Sequence, residues 1–477
     1  MNKLYIYTVA SIIFCCNIFS KALGQSPYFV KYFGLQEINE QARAILQIND
    51  GAIFLGGYSN ISGNTDPALL KLSRKGDSLW MKTYGDTVFD VALSLNYSGN
   101  ADLVICGERL NEITGTDLIV LKIDSNGIQL WESVIATNKN ESGKYIEQTQ
   151  DGGYLICGYQ SDDFGFNDII LVKLAASGAL LWIKNYGGVD NEYASQVHEL
   201  ADGNIILTAD TRSKGAGGYD VEILRLTSTG EIIWDYTYGD DLENGCQGIY
   251  IAANGDLISY GETETFPFSP FDFYIERISP EGSSIWKNVF GGAGSDAAFS
   301  LVEDDAGNFI LTGYSNSYNG GEAIDIVIAK TDAFGELIWA NSYGNAGIDI
   351  GYGIVKADQG FLIAATSFNE GSNDFCTLYV SEEGLLTGLM EAANSFYQPV
   401  HLSVNPNPSN GYFEIVFDEA VNNLKVEIFD LTGRSVFESF ENGMNKKVPI
   451  RFEGSQGMYL LLMKCSAGIY RLPVELY

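Results

Sequence analysis

The chain has 477 residues, 46% of them apolar and 13% aromatic, which suits several ordinary domains with a large core and excludes a disordered polymer. Its 28 basic and 61 acidic residues give a formal charge of −33, a field that repels nucleic acid and anionic lipid. With 2 His in the whole chain, imidazole-based metal sites and His general bases are scarce.

Residues 1–24 read as a secretory signal peptide. Lys3 supplies the positive start, 4–19 is largely apolar, and Ala22-Leu23-Gly24 offers the small residues a signal peptidase reads. The apolar run is short for a membrane span and is broken by Asn17. Phe14 stands before Cys15-Cys16 where a lipobox needs Gly or Ala, which argues against a lipoprotein. No later stretch reaches membrane-spanning length, so no transmembrane segment is expected in the mature chain. Removal of the signal leaves Cys106, Cys157, Cys246, Cys376 and Cys465, an odd and scattered set unlike a disulfide framework.

From residue 25 to about 390 the chain repeats. Trp80, Trp131, Trp182, Trp234, Trp286 and Trp339 are spaced by 51, 51, 52, 52 and 53 residues, and a Gly stands four residues before each. A seventh such Gly, Gly384, has Gly388 in the Trp place. Asp66, Asp117, Asp168, Asp220, Asp272, Asp325 and Asp374 run in step, and six of these seven have Lys or Arg five residues later. Three markers in phase over this distance establish a repeat.

Each unit has β texture. In one of them 169–174 and 180–186 read as strands around a tight turn, and 193–200 and 204–208 follow with Asp202-Gly203 between them. Four short strands per unit cannot bury both faces alone, and radial stacking of four-stranded blades solves that problem. The Asp–x–x–x–x–Lys and Gly–x–x–x–Trp pattern resembles the repeat of PQQ-like and related bacterial β-propellers. That resemblance implies a Trp from each blade docking on the next.

The two ends carry a complementary deficit. Phe29-Val30-Lys31-Tyr32-Phe33-Gly34 aligns with Trp80-Met81-Lys82-Thr83-Tyr84-Gly85, so the chain opens on a lone fourth strand, while the seventh unit lacks its own. The N-terminal strand is expected to complete the last blade and close a ring of seven. At the position of Cys106 and Cys157 other repeats carry Gly56, Thr208, Thr312 or Ala364, with Tyr260 the one large exception, so this is expected to be a small buried site.

Function is expected on one face. Turns between first and second and between third and fourth strands are short, whereas second-to-third loops and interblade links are long and rich in acid, Asn, Gly and aromatics. The candidate binding residues are the seven Asp just named, each at the head of a third strand. Seven carboxylates at one height would suit a calcium rim; an Asp at this position more commonly bonds loop N–H groups and fixes the turn. The Lys or Arg at +5 falls on the opposite strand face, so the two are not same-strand ion pairs.

Residues 391–400 read as a linker and 401–477 as a small Ig-like β-sandwich. The first region, 25–390, carries 51 acids and 19 bases, whereas 401–477 carries 9 and 7. Pro406-Asn407-Pro408 with Gly411, then Asp430, Gly433 and Arg434, then Gly457 and Tyr459 resemble the type A C-terminal sorting domain of the type IX secretion system of Bacteroidota. The resemblance implies passage through a Sec signal and the periplasm, recognition by the type IX machinery, and release or surface attachment. The family usually ends in a basic strand; this chain ends with Pro473 and Glu475 in that strand.

The expected fold is therefore all-β, a seven-bladed propeller followed by a small sandwich. The expected function is recognition of a protein or glycan on the long-loop face. A secreted hydrolase using a carboxylate pair is the alternative, since 51 acids offer many pairs. His198 and His401 sit in no catalytic motif, and no Gly–x–Ser–x–Gly, His–Glu–x–x–His, P-loop or CxxC pattern occurs. The adjacent cysteine pair of PQQ-like oxidoreductases is also missing once 1–24 is removed.

Overall fold

A computed structural model describes residues 28–386 apart from 35–37, 62–63, 86–88, 100, 112, 114, 162–164, 266–269, 319–322 and 370. It also describes 402–476 apart from 406–410, 422–423, 430–434, 442, 444, 453 and 466–467. Before residue 28 it describes only Ile6–Tyr7, which pair with Phe33 and Tyr32. The remainder of the signal segment, the linker, and Pro406, Asn407, Pro408, Asp430, Gly433 and Arg434 lie outside the described residues.

Seven antiparallel sheets form the blades of a propeller. Blades 1 to 6 span 40–83, 90–135, 141–186, 192–238, 244–290 and 296–343. In blade 3, for example, Glu141–Gln148 is the inner strand, followed outward by Tyr154–Ser161, Asn167–Leu174 and Leu180–Tyr186. Blade 7 takes Asp349–Ala357, Gly360–Asn369 and Ser372–Val380 from one end of the propeller region and Phe29–Phe33 from the other. The join runs antiparallel from Phe29 opposite Tyr379 to Phe33 opposite Phe375, so the ring closes through main-chain pairing as the sequence predicts.

Burial follows position within the blade. Second and third strands are apolar runs buried on both faces, as in Ile53–Ser59 and Asp66–Leu72, because each blade is sandwiched between two others. Outer strands have one edge and much of their surface in water, and their burial drops accordingly. The cores lie between blades. Leu362, Ala364 and Phe375 of blade 7 pack with Ile45, Ile53, Leu55 and Leu70 of blade 1, continuing the hydrophobic ring across the closure. Cys106, Cys157, Cys246 and Cys376 are free and buried. Tyr260, the large exception at the small-residue site, is accommodated because the facing inner strand has Gly248, where a Cβ would stand 2.4 Å from the Tyr260 hydroxyl.

The C-terminal region forms two sheets, one of Leu402–Asn405, Tyr412–Val421 and Asn445–Arg451, the other of Ser435–Glu441, Leu424–Phe429, Gly457–Cys465 and Gly468–Leu476. Phe413, Ile415, Phe417, Val426, Ile428, Leu461 and Met463 fill the space between them. Tyr459 of the sorting motif packs into this core, edge-on to Phe452 at 4.9 Å, and Gly411 takes a positive φ of 90° at the turn before Tyr412.

Candidate functional site: the loop-face mouth of the propeller channel

The seven Asp at the heads of the third strands are buried, except Asp168, which is partly buried. They sit at the blade junctions. A Cβ added to the Gly that ends the outer strand of the same blade would strike the carboxylate: 2.0 Å at Gly34 for Asp374, 1.7 Å at Gly187 for Asp168 and 2.0 Å at Gly291 for Asp272. Asp220 accepts a 2.8 Å bond from the Ala216 N–H, Asp66 one from Asn64 and Asp117 one from Asn111.

A second in-phase series meets the same junctions: Glu40, Asp90, Glu141, Glu192, Asn244, Asp296 and Asp349 begin the seven inner strands, and all are buried. Carboxylates of this series accept hydrogen bonds from the links that lead into them, for example from Gly188 N–H to Glu192 at 2.9 Å and from Asn345 N–H to Asp349 at 2.8 Å. Burial, with the Asp272 charge adding to it, pushes the Asp296 carboxyl up to about 7. This series was readable in the sequence from its spacing alone. Among the described residues no group of three or more His, Cys, Asp or Glu is arranged to hold a metal ion.

The basic residues at +5 act at the other end of the blade. Lys122, Lys173, Arg225, Arg277 and Lys330 pair with Asp102, Asp151, Asp202, Asp256 and Asp304 of the first-to-second turns at 2.6–3.3 Å. Lys71, Arg225 and Arg277 also reach carbonyls of the next blade, at Ser125, Pro280 and Ala333. The turn face is thus a ring of short cross-links.

The channel is where the repeats diverge. Every inner strand carries a β-bulge at one place, leaving a single residue unpaired: Arg43, Leu93, Lys144, Ser195, Gln247, Phe299 and Tyr352. A bulge re-aims the side chain that it frees, and all seven line a central cavity of about 630 Å³. No residue type recurs in this collar. Above it on the loop side, the second strands contribute Tyr58, Glu108, Tyr159, Asp210, Glu262, Tyr314 and Thr366, each opposite an inner-strand residue two positions before the bulge. Sequence reasoning missed both rings, because their identities vary and only their phase repeats.

Several contacts organise the mouth. Phe299 and Tyr352 stack at 5.3 Å with an 11° interplanar angle, and the Arg43 guanidinium lies 4.2 Å over the Tyr352 ring. Tyr159 meets Tyr193 edge-on at 5.2 Å. Asp210 accepts a 2.6 Å bond from the Cys246 N–H. Burial raises Asp210 to about 8, reinforced by the nearby charges of Glu262 and Glu243, and burial raises Glu262 to about 7. Deeper in the channel His198 has a structural role: it bridges Glu147 at 2.5 Å and the Ile249 carbonyl at 3.1 Å. Asn96 bonds the Ile146 carbonyl, and Gln196 accepts from Ile249 N–H. These side chains satisfy the inner-strand edges that would otherwise face the channel unpaired.

Residues 403–471 match the family model described as the secretion system C-terminal sorting domain. This chain is a seven-bladed propeller that carries a type IX secretion sorting domain. The domain implies interaction with that machinery and places the protein outside the cell or on its outer surface. No helix among the described residues is long and apolar enough to cross a membrane. Comparison with curated protein sequences found no match. Among solved structures, Sqt1 of Chaetomium thermophilum is similar over 92% of this chain and 95% of its own, at 11% identity and a TM-score of 0.42. The Pan2 WD40 domain of Neurospora crassa is similar over 71% and 88%, at 11% identity and a TM-score of 0.45. PorZ, a surface component of the type IX secretion system of Porphyromonas gingivalis, is similar over 92% and 82%, at 9% identity and a TM-score of 0.29. These values carry no functional inference, and nothing in them singles out the PQQ-like propellers.

Proposed function

We propose that the protein is exported through a signal peptide at 1–24 and sorted through 401–477. Its 25–390 propeller then recognises a protein or glycan at the loop-face mouth of the channel. The observation that carries this reading is the collar. Positions that only close the ring repeat their chemistry in nearly every blade, as the Trp, Gly and Asp series do. The bulge position holds seven different residues, Arg43, Leu93, Lys144, Ser195, Gln247, Phe299 and Tyr352, on a pseudo-symmetric frame. Packing alone would favour equivalent side chains there; an asymmetric ligand favours distinct ones. In the same reading, the Asp series fixes the loops that surround the mouth.

The test is binding of the purified full-length chain to arrays of glycans and peptides, repeated with Gln247→Ala and Phe299→Ala. Loss of binding with an unchanged melting temperature supports the reading, and unchanged binding by both variants overturns it. A hydrolase reading draws support from one feature: Asp210 and Glu262 are raised to about 8 and about 7, so a proton donor is present at neutral pH. Turnover of chromogenic glycosides or esters abolished by Asp210→Asn and Glu262→Gln would replace recognition by catalysis.

A further inference from the structure

We infer that the corner of the loop-face mouth where blades 6, 7 and 1 meet binds the free carboxyl terminus of a peptide whose last side chain is apolar. This rests on the recognition reading above and names its ligand class. The first observation is a guanidinium that meets no carboxylate among the described residues. Among the described arginines of the propeller, Arg74, Arg109, Arg212, Arg225 and Arg277 each face an acid. Arg43 faces none among the described residues, although the region holds 51 acids against 19 bases. It donates to Gln41 Oε1 at 2.9 Å and to the Tyr58 hydroxyl at 3.3 Å, and its Nε is buried without a partner. Stacking on Tyr352 at 4.2 Å holds the fork in place.

The second observation is an apolar pocket of about 570 Å³ directly beside it, walled by Ala323, Ile324, Ile348, Ile350 and Phe368. Ile348 is 55% exposed and Phe368 42% exposed. Gln41 and Tyr352 line this pocket, and both touch Arg43, so the guanidinium and the apolar pocket share a wall.

The geometry selects the ligand. A carboxylate accepts bidentate bonds from an arginine fork. At a peptide C-terminus the carboxylate and the last side chain branch from one Cα, so they reach adjacent subsites together. An internal Asp or Glu in an extended peptide sends its carboxylate and the neighbouring apolar side chain to opposite sides. A uronate would leave Ile348 and Phe368 uncovered. A fatty acid would leave the rim amides of Gln41 and Asn373 unmatched, whereas peptide groups pair with them.

The experiment uses the full-length chain and fluorescence anisotropy. The probes are N-terminally labelled short peptides ending in Leu or Phe as free acids, the same peptides amidated, and free acids ending in Ser. The expected result is saturable binding of the apolar free acids, weakened at least about tenfold by amidation and by the Ser ending. Arg43→Gln should abolish the difference between acid and amide. Ile348→Asp, at an exposed position that tolerates a polar side chain, should abolish apolar preference with an unchanged melting temperature. Equal binding of acid and amide overturns the inference. So does displacement of the peptide by dodecanoate at lower concentration than by unlabelled peptide. Glycan binding on the arrays without any peptide response overturns it too, while leaving the recognition reading intact.

Discussion

A Cβ on Gly335 would lie 2.5 Å from Cζ3 of Trp286, so the indole of blade 5 is seated on the turn between the last two strands of blade 6. The same relation joins Trp80 to Gly127, Trp131 to Gly178, Trp234 to Gly282 and Trp339 to Gly384, and Phe29 to Gly76 at the ring closure. Gly230 is the exception, meeting Lys184 and Tyr186 instead of an indole; elsewhere the Gly four residues before a Trp serves the aromatic ring of the preceding blade. This explains why Gly384 is present although no Trp follows it.

Gly335 has φ +78° and the indole against it, whereas Gly203 has φ +80° and nothing within 4 Å of its added Cβ. Gly203→Ala should cost about 1 kcal/mol, from backbone strain alone. Gly335→Ala should cost about 2–3 kcal/mol, because the Trp must also move. Denaturant unfolding of the two variants side by side measures the difference, and equal losses would remove the indole contact from the account.

Trp339 is the most buried of the series, at 8% exposed, and packs with Ile310, Ile328 and Leu378. Trp339→Ala should destabilise by about 3–5 kcal/mol, from lost transfer energy and the cavity left behind. Trp182, which is only half-buried, should lose less on the same substitution. Chemical unfolding followed by circular dichroism gives both values.

Deleting the chain up to residue 34 removes the strand that pairs with Ser372–Val380 and the Phe29 that covers Gly76. Blade 7 then ends on an open edge, and Phe375 and Tyr379 lose their cover. The expected outcome is a strongly lowered melting temperature with concentration-dependent association, read by calorimetry and light scattering.

Asp296, Asp210 and Glu262 hold protons in the folded chain up to about pH 7–8 that an unfolded carboxyl releases near pH 4. The folded state binds more protons over that range, so stability falls as pH rises from about 5 to about 8. Asp151 and Asp304 work in the opposite sense: hydrogen bonds and ion pairs hold them near 2, so their stabilisation is lost as pH falls below about 4. The melting temperature should therefore peak in weak acid. Asp296→Asn copies the Asn244 that blade 5 carries at this position, and it should raise the melting temperature at pH 8 by several degrees with little change at pH 5.

Removal of 401–477 takes away the region matched over 403–471. The truncated propeller should accumulate in the periplasm while the full chain reaches the medium or the outer surface. Immunoblots of the fractions decide this, and equal export of both forms would contradict the sorting role.

The repeat, its seven-fold count, the closing strand and the sorting domain were legible in the linear sequence. Each depends on spacing or on residue types at fixed offsets: Trp and Gly in phase, Phe29 in the missing Trp place, Gly457 and Tyr459 near the end. The partners were not legible. Trp286 and Gly335 are 49 residues apart and meet only because successive blades stack. The collar of Arg43, Lys144, Phe299 and Tyr352 exists because each inner strand slips its register by one residue, and a bulge is a property of pairing between strands. The large Tyr260 fits because Gly248 faces it across the same sheet. That Arg43 meets Gln41, Tyr58 and Tyr352 beside the Ile348 pocket is decided by what the ring brings around it. Local periodicity determines the blades, and the closure of the ring determines what they hold between them.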